Sequence, residues 1–418
     1  MKILLTRRTV LLLFLANSLA MQMALSQTAS VKPYSIIYWL LVLPALVAPM
    51  FFWREMIDAV KGRGGYLLAF VLLAGGYHVL RGDVRAVIQV ILLTWVALWC
   101  VCPSVRLSVD DIVNGFVVSV IVGIGIYLCT EANYWGIIPG TTMGGHGPWR
   151  VSYFPNIANT GFAALLVLFV LTRSKELARS HIIVLSICLY FLLLSFVRAA
   201  LLAAVIYVVL RFVLERVKTP SALFWITLAA TVGIHLAVVF VVPLLELLQQ
   251  YPVMSRLLLR GYSELDPAEI YQQLYRPWVW SEHIKMFLAS PHLMGLGSFR
   301  FLDKISYVLV PNLEGDGTES LLTRLLATYG LPALFLMAFL VDALYRLARN
   351  RDAWACSCFP AIIFMMSNWG SVFHPTNAFF VLFFMILIRG RDAITGVEEA
   401  VSRRPELGSF ATIGIGKG

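Results

Sequence analysis

What this sequence has least of is charge. Asp, Glu, Lys and Arg make up 13% of its 418 residues, about half the share of an ordinary soluble domain. Together with 60% apolar residues, that scarcity excludes a disordered tail and a water-soluble enzyme. Cysteine is also sparse: Cys188 and Cys129 lie in apolar runs, and the pairs Cys100/Cys102 and Cys356/Cys358 flank segment ends without a neighbouring His or a second cluster. A secreted disulfide scaffold is excluded, and the six read as structural thiols rather than metal ligands. Missing too are a Walker loop, an internal repeat, a low-complexity linker and the paired discontinuous helices of a secondary transporter. Ionisable residues deep inside apolar runs are few, which leaves a proton relay or ion path without support.

What remains is apolar sequence, with a mean hydropathy of +0.81, and it reads as an all-α polytopic membrane bundle. Runs of about 17–25 mostly apolar residues mark candidate spans. They fall near 9–27, 33–53, 65–80, 86–102, 111–130, 155–172, 181–197, 198–215, 221–248, 319–346, 353–372 and 376–389. The first has the basic start and small residues of a signal peptide, and is counted as a retained span. Arg198 interrupts an otherwise continuous stretch between the seventh and eighth. Nine spans thus occupy 1–248, with a shorter connection near 131–154; a large loop fills 249–318, three more spans 319–392, and a tail 393–418.

The net charge of +10 does not point to nucleic acid, because Lys and Arg are scattered between apolar runs, where they set orientation and meet anionic headgroups. With the N-terminus inside, 21 of the 33 basic residues fall on the cytoplasmic side, in every segment from Lys2 to Lys417. Seven of the other 12 lie between Arg256 and Arg324. The positive-inside rule then places both termini in the cytoplasm. Both long connections face the periplasm, or the exterior in a single-membrane cell.

Function is expected in those connections and in the arginines that face them. Region 249–330 interleaves basic, acidic and aromatic residues, among them Arg276, Glu282, Tyr275, Trp278 and Trp280. Segment 267–289 has helical periodicity, and SPHLMGLGSF follows as a tight loop in which Gly295 and Gly297 permit unusual dihedrals. The region reads as a folded helical cap; its alternative is a decorated loop without chemistry. Arg198, in LLLSFVRAALLAAV, is either an interfacial anchor or a ligand for an anionic headgroup, for which its planar fork of donors is suited.

Four strings, in order, carry a family resemblance. YRPWVWSEHIKMFLASPHLMGLGSFRF resembles the start of the large loop in the O-antigen ligase and polymerase superfamily. SFVRAALLA resembles that family's Ser–Arg pair before a small-residue helix, although Phe196 and Val197 separate Ser195 from Arg198. GPWRVSYFPNIANTGF resembles its arginine followed by Pro–Asn, here Arg150, Pro155 and Asn156. TESLLTRLLATYGLPALF resembles its entry into the helix after the loop. Ligases of that family carry a histidine where this chain has Glu319, eleven residues before Gly330. A carboxylate also accepts a proton from a sugar hydroxyl; the alternative is a helix-start charge with Thr318 as cap. His374, in SVFHPTNAFF at an outer turn, is the rival base. His283, His292 and His146 lie in the outer loops, His181 on the cytoplasmic side, while His78 and His235 read as buried packing residues.

The resemblance implies transfer of a glycan from undecaprenyl diphosphate to lipid A–core oligosaccharide, at the periplasmic face of a bacterial inner membrane. It also implies inversion at the anomeric carbon, with no metal or other cofactor. Arg150, Arg198 and Arg276 would compensate the diphosphate, and Glu319 would act as base. Membrane lipids are the remaining partners, and nucleic acid is not one. A polysaccharide polymerase using the same donor is the alternative, followed by a transporter of lipid-linked sugars.

Overall fold

The computed structural model describes residues 9–16, 40–41, 43–44, 47–62, 64–130, 137–140, 150–153, 157–173, 179–237, 251, 276–297, 321–368 and 378–395. They are mostly helical. After a helical stretch at 9–16 come α1 (Trp53–Gly62), α2 (Gly65–Leu80), α3 (Val84–Val101), α4 (Val109–Thr130) and α5 (Ile157–Leu171). Then follow α6 (Arg179–Leu194), α7 (Arg198–Leu214), α8 (Pro220–Ala237) and α9 (Arg276–Leu288). The chain continues through α10 (Leu321–Tyr329), α11 (Ala333–Arg349), α12 (Ala353–Asn368) and α13 (Ala378–Arg389). The one strand pairing among the described residues is a two-residue parallel match of Leu107 with Ile394 and Ser108 with Thr395.

Helix α5 is buried at every residue, α12 from Trp354 to Asn368 and α13 from Phe379 to Ile388. Their sequences explain this, because each is apolar on all sides and so belongs inside a bundle. Around them, α7 and α8 pack on α12, α6 on α5, α3 on α13, α11 on α2, and α9 on α10. The outer helices turn apolar side chains both ways. Leu72, Ile121, Ile183, Phe212, Trp225 and Leu236 point outward at 62–65% exposure.

Two of the described helices, Val84–Val101 and Pro220–Ala237, are long and apolar enough by themselves to cross a membrane. Gly65–Leu80, Ile157–Leu171, Ser180–Leu194 and Ala353–Asn368 are apolar but shorter. At 1.5 Å per residue, sixteen residues reach about 24 Å, short of a hydrocarbon layer of about 30 Å.

The stretch 319–346, expected as one span, is divided. Gly330 has φ +67°, and a Cβ there would lie 2.1 Å from the Leu293 carbonyl oxygen. Only glycine both turns this corner and admits the neighbouring chain so closely. Helix α10 stops at the corner and packs on α9, and helix α11 starts at Ala333.

Side-chain ties sort the helix ends into two groups. At one end, Glu55 accepts from the Ser104 hydroxyl at 2.8 Å, Tyr207 and Thr172 pair their hydroxyls at 2.7 Å, and Trp354 donates to the Phe169 carbonyl at 3.0 Å. At the same end, Arg389 donates to the carbonyls of Cys102 at 2.7 Å, Pro103 at 3.2 Å and Val105. The guanidinium closes the C-terminal end of α3, where backbone carbonyls lack helical partners. At the other end, Arg150 meets Ser195, Trp280 meets Ser367, and Tyr329 meets Gln89. Each tie joins segment ends to which the distribution of Lys and Arg assigns one and the same side.

Candidate functional site

The turn between α6 and α7 is the focus. Helix α6 ends at Leu194, and after three intervening residues α7 begins with Arg198. Phe196, in between, has φ +50° and is buried. A left-handed conformation costs a non-glycine residue roughly 1–2 kcal/mol, so the surrounding contacts must hold it. Two of them come from segment 150–153: Val151 N–H donates to the Leu194 carbonyl at 2.9 Å, and Arg150 Nε donates to the Ser195 carbonyl at 3.1 Å. Segment 150–153 thereby satisfies carbonyls at the end of α6, and the Arg150 charge complements the negative end of that helix. Ser152 and Thr160 join their hydroxyls at 2.6 Å, which ties the segment to α5. From α5, Gly161 lets the turn settle closely, since a Cβ there would meet Val197 Cβ at 2.8 Å.

Arg150 is buried, at 6% exposure, whereas Arg198 is half-buried. Arg150 bonds to a carbonyl three positions before Arg198, so the two arginines share one turn. Helix α7 starts there with Val197 at its N-cap and no capping side chain. An uncapped helix start presents amide donors and the positive end of the helix dipole.

Helix α7 runs antiparallel to α12. Tyr207 lies within electrostatic reach of Cys358. Arg198 is nine residues before Tyr207, and Ser367 is nine residues after Cys358. Both are then roughly 14 Å further along, toward the same end of the bundle. At that level α9 arrives. Trp280 Nε1 donates to the Ser367 carbonyl at 3.2 Å, and its ring lies 6.1 Å from that of His235. His235 Nε2 is 2.8 Å from Ser367 Oγ, a polar contact that joins α8 to α12, and its Nδ1 is 2.6 Å from the Thr231 carbonyl within α8. The backbone of Arg276 begins α9, about one turn before Trp280.

The expected site residues therefore divide. Arg150 bonds to the turn that leads into Arg198. Arg276 is placed by its backbone alone, its side chain lying outside the described residues. Glu319, His374, His146, Pro155 and Asn156 also lie outside the described residues. Of the other histidines, His283 is fully buried, its Nδ1 2.9 Å from Thr323 Oγ1, and fastens α9 to α10. His292 is exposed, with φ +53°. His181 lies 3.5 Å from Asp110 at the opposite end of the bundle. His78 and His235 are in contact with packed helices, His78 at 1% exposure and His235 half-buried.

Sequence reading set a break before Arg198 but did not anticipate the left-handed Phe196 within it, the Trp280–Ser367–His235 contact or the corner at Gly330. For the last a signal was available: a glycine in the middle of a long apolar run, two residues before Pro332. For the others none was, because they depend on which helices become neighbours. No protein-family model matches the chain, and no curated protein matches it.

Proposed function

We propose that the chain is a membrane-embedded glycosyltransferase: an O-antigen ligase that moves a glycan from undecaprenyl diphosphate to lipid A–core oligosaccharide at the outer face of a bacterial inner membrane. Membrane embedding is supported by the outward belt of Leu, Ile, Phe and Trp on α2, α4, α6, α7 and α8. Water does not favour such a surface at this extent, and lipid does. It is supported further by the agreement between the basic-residue bias and the grouping of the helix ends. The twelve spans, the cytoplasmic termini and the periplasmic cap belong to the same proposal.

One observation carries the chemistry: Arg150 bonds to the turn that bears Arg198, at an uncapped helix start. Two guanidinium groups and backbone amides at one place suit a diphosphate, whose charge rises as it leaves the sugar. The acceptor hydroxyl attacks the anomeric carbon, the bond from that carbon to the diphosphate oxygen breaks, and the hydroxyl proton passes to a base. A single displacement inverts the anomeric centre. Glu319 is the base in this reading, with His374 as its rival.

The test is the lipopolysaccharide of a strain lacking the gene. A ligase leaves core without long chains, and carrier-linked glycan accumulates. The second reading, a polymerase with the same donor and a lipid-linked chain as acceptor, is favoured by Glu319 standing where ligases of the family have histidine. It leaves one repeat attached to core. An unchanged profile overturns both.

A further inference from the structure

Helix α9 is seated on the bundle by one face. Val279, His283 and Met286 are buried, while Ile284 and Leu288 are exposed. Steps of four and three residues define one helical face, and that face packs on α10. Apolar packing is non-directional, so by itself it lets α9 turn about its axis or slide along it. Directional contacts are needed to fix the helix, and two are present.

On one flank, His283 Nδ1 lies 2.9 Å from Thr323 Oγ1 and fixes α9 to α10. Helix α10 is fixed in turn to α3 by the Tyr329 hydroxyl, which donates to Gln89 at 3.1 Å. On the other flank, Trp280 Nε1 donates to the Ser367 carbonyl at 3.2 Å. Helix α12 ends at Asn368, so this carbonyl is one of the last four, which have no acceptor role inside the helix. Trp280 provides its donor. The indole is also supported from the side: the His235 ring lies 6.1 Å from it and 6.2 Å from that of Phe364. The 2.8 Å contact between His235 Nε2 and Ser367 Oγ holds that ring in place.

The two contacts do different things. Positions 280 and 283 address different neighbours, so together they set the rotation of α9, which neither sets alone. Only the first turn of α9 lies before Trp280, and it begins at Arg276. Positions 276 and 280 are four apart and share a face of the helix. A tie that holds Trp280 against the outer end of α12 therefore holds position 276 too, at the level where α7 starts with Arg198.

We propose that Trp280 is a positioning residue of the transfer reaction: its indole, held by the Ser367 carbonyl and the His235 ring, sets the first turn of α9 so that Arg276 serves the same diphosphate as Arg198. The role of Arg276 rests on the transferase reading. The assay is the initial transfer rate of the full-length protein in detergent, with carrier-linked glycan extracted from a strain lacking the gene as the varied donor and lipid A–core as acceptor. Trp280→Phe keeps an aromatic ring and removes the N–H. It should raise the donor KM about 3- to 10-fold, the effect of one hydrogen bond, and lower the thermal midpoint by only a few degrees. A smaller folded fraction lowers the apparent kcat and leaves KM alone, so a raised KM reports position rather than loss of fold. Ser367→Ala, a milder change that releases the His235 ring, should raise the donor KM by about threefold. In an Arg276→Ala background neither substitution should change it further, because both act through Arg276. If Arg276→Ala raises the donor KM and the other two do not, or if their effects multiply with it, Trp280 only packs; the inference is overturned and the transferase reading stands. A wild-type protein that transfers nothing overturns that reading and the inference with it, and a wild-type donor KM in Arg276→Ala overturns the inference by removing the residue it acts through.

Discussion

Replacing Arg198 by Lys separates charge from geometry at the proposed diphosphate site. Arg198 is half-buried at the first position of α7, where lysine also fits. Its loss should change stability by no more than about 0.5 kcal/mol, as for most surface substitutions. Catalysis should respond differently. A guanidinium offers a phosphate two parallel hydrogen bonds, and an ammonium offers a point charge. Losing one hydrogen bond to a charged group is worth about 1.5–3 kcal/mol, which corresponds to a fall of about 10- to 150-fold in kcat/KM. Arg150→Lys provides the contrast. Arg150 is buried, and its Nε supports the Ser195 carbonyl at 3.1 Å. Its replacement should therefore cost about 1–3 kcal/mol of stability in addition to activity. The assay measures initial transfer rates against donor concentration with purified protein, beside thermal melts in the same detergent. If Arg198→Lys keeps kcat/KM within about threefold of wild type, the side chain is an interfacial anchor and the phosphate role is refuted.

Three further outcomes follow from the same chemistry. Glu319→Gln should lower turnover by about 10²–10⁴-fold, the usual effect of removing a general base, while His374→Ala stays near wild type; the reverse result moves the base to the last outer turn. Transfer should persist in excess EDTA, and a rate that stops with chelator and recovers with magnesium or manganese would overturn the metal-free mechanism. Asp352 tests the tie at the end of the bundle opposite Arg198: its Oδ1 caps α12 at Ala355 N–H, 3.0 Å away, and Arg391 approaches it through backbone N at 2.7 Å and Nε at 3.2 Å. Burial raises its carboxyl above the ordinary value of 3.8, against the lowering effect of the Ala355 and Arg391 amides and the Arg391 and Arg173 charges. The native state then holds the proton more tightly than the unfolded chain, so this group's contribution is full below that value and declines as pH climbs through the raised one. Asp352→Asn has no such titration, and its stability deficit should shrink in thermal melts as pH rises above the ordinary carboxyl value of 3.8; a deficit that grows with pH refutes the assignment.

The sequence by itself determined the all-helical class, most of the helix positions and the grouping of helix ends. These rest on local quantities. An apolar run of α5 or α12 length must leave water wherever its neighbours are, and a Lys or Arg at its end is placed by its own solvation. The break between α6 and α7 was legible at Arg198 for the same reason, since a charge does not continue an apolar helix cheaply. Only the tertiary structure decided that Arg150 reaches the Ser195 carbonyl, 45 positions away, and that Trp280 meets Ser367, 87 positions away. Nor does any local pattern distinguish His78 as a ring with one unmatched nitrogen from a histidine whose bonds are all made. That difference depends on which groups distant segments bring against the ring, Tyr329 of α10 among them. Periodicity and charge act over a turn or a helix end, whereas hydrogen-bond partners between helices are set by how the whole bundle closes.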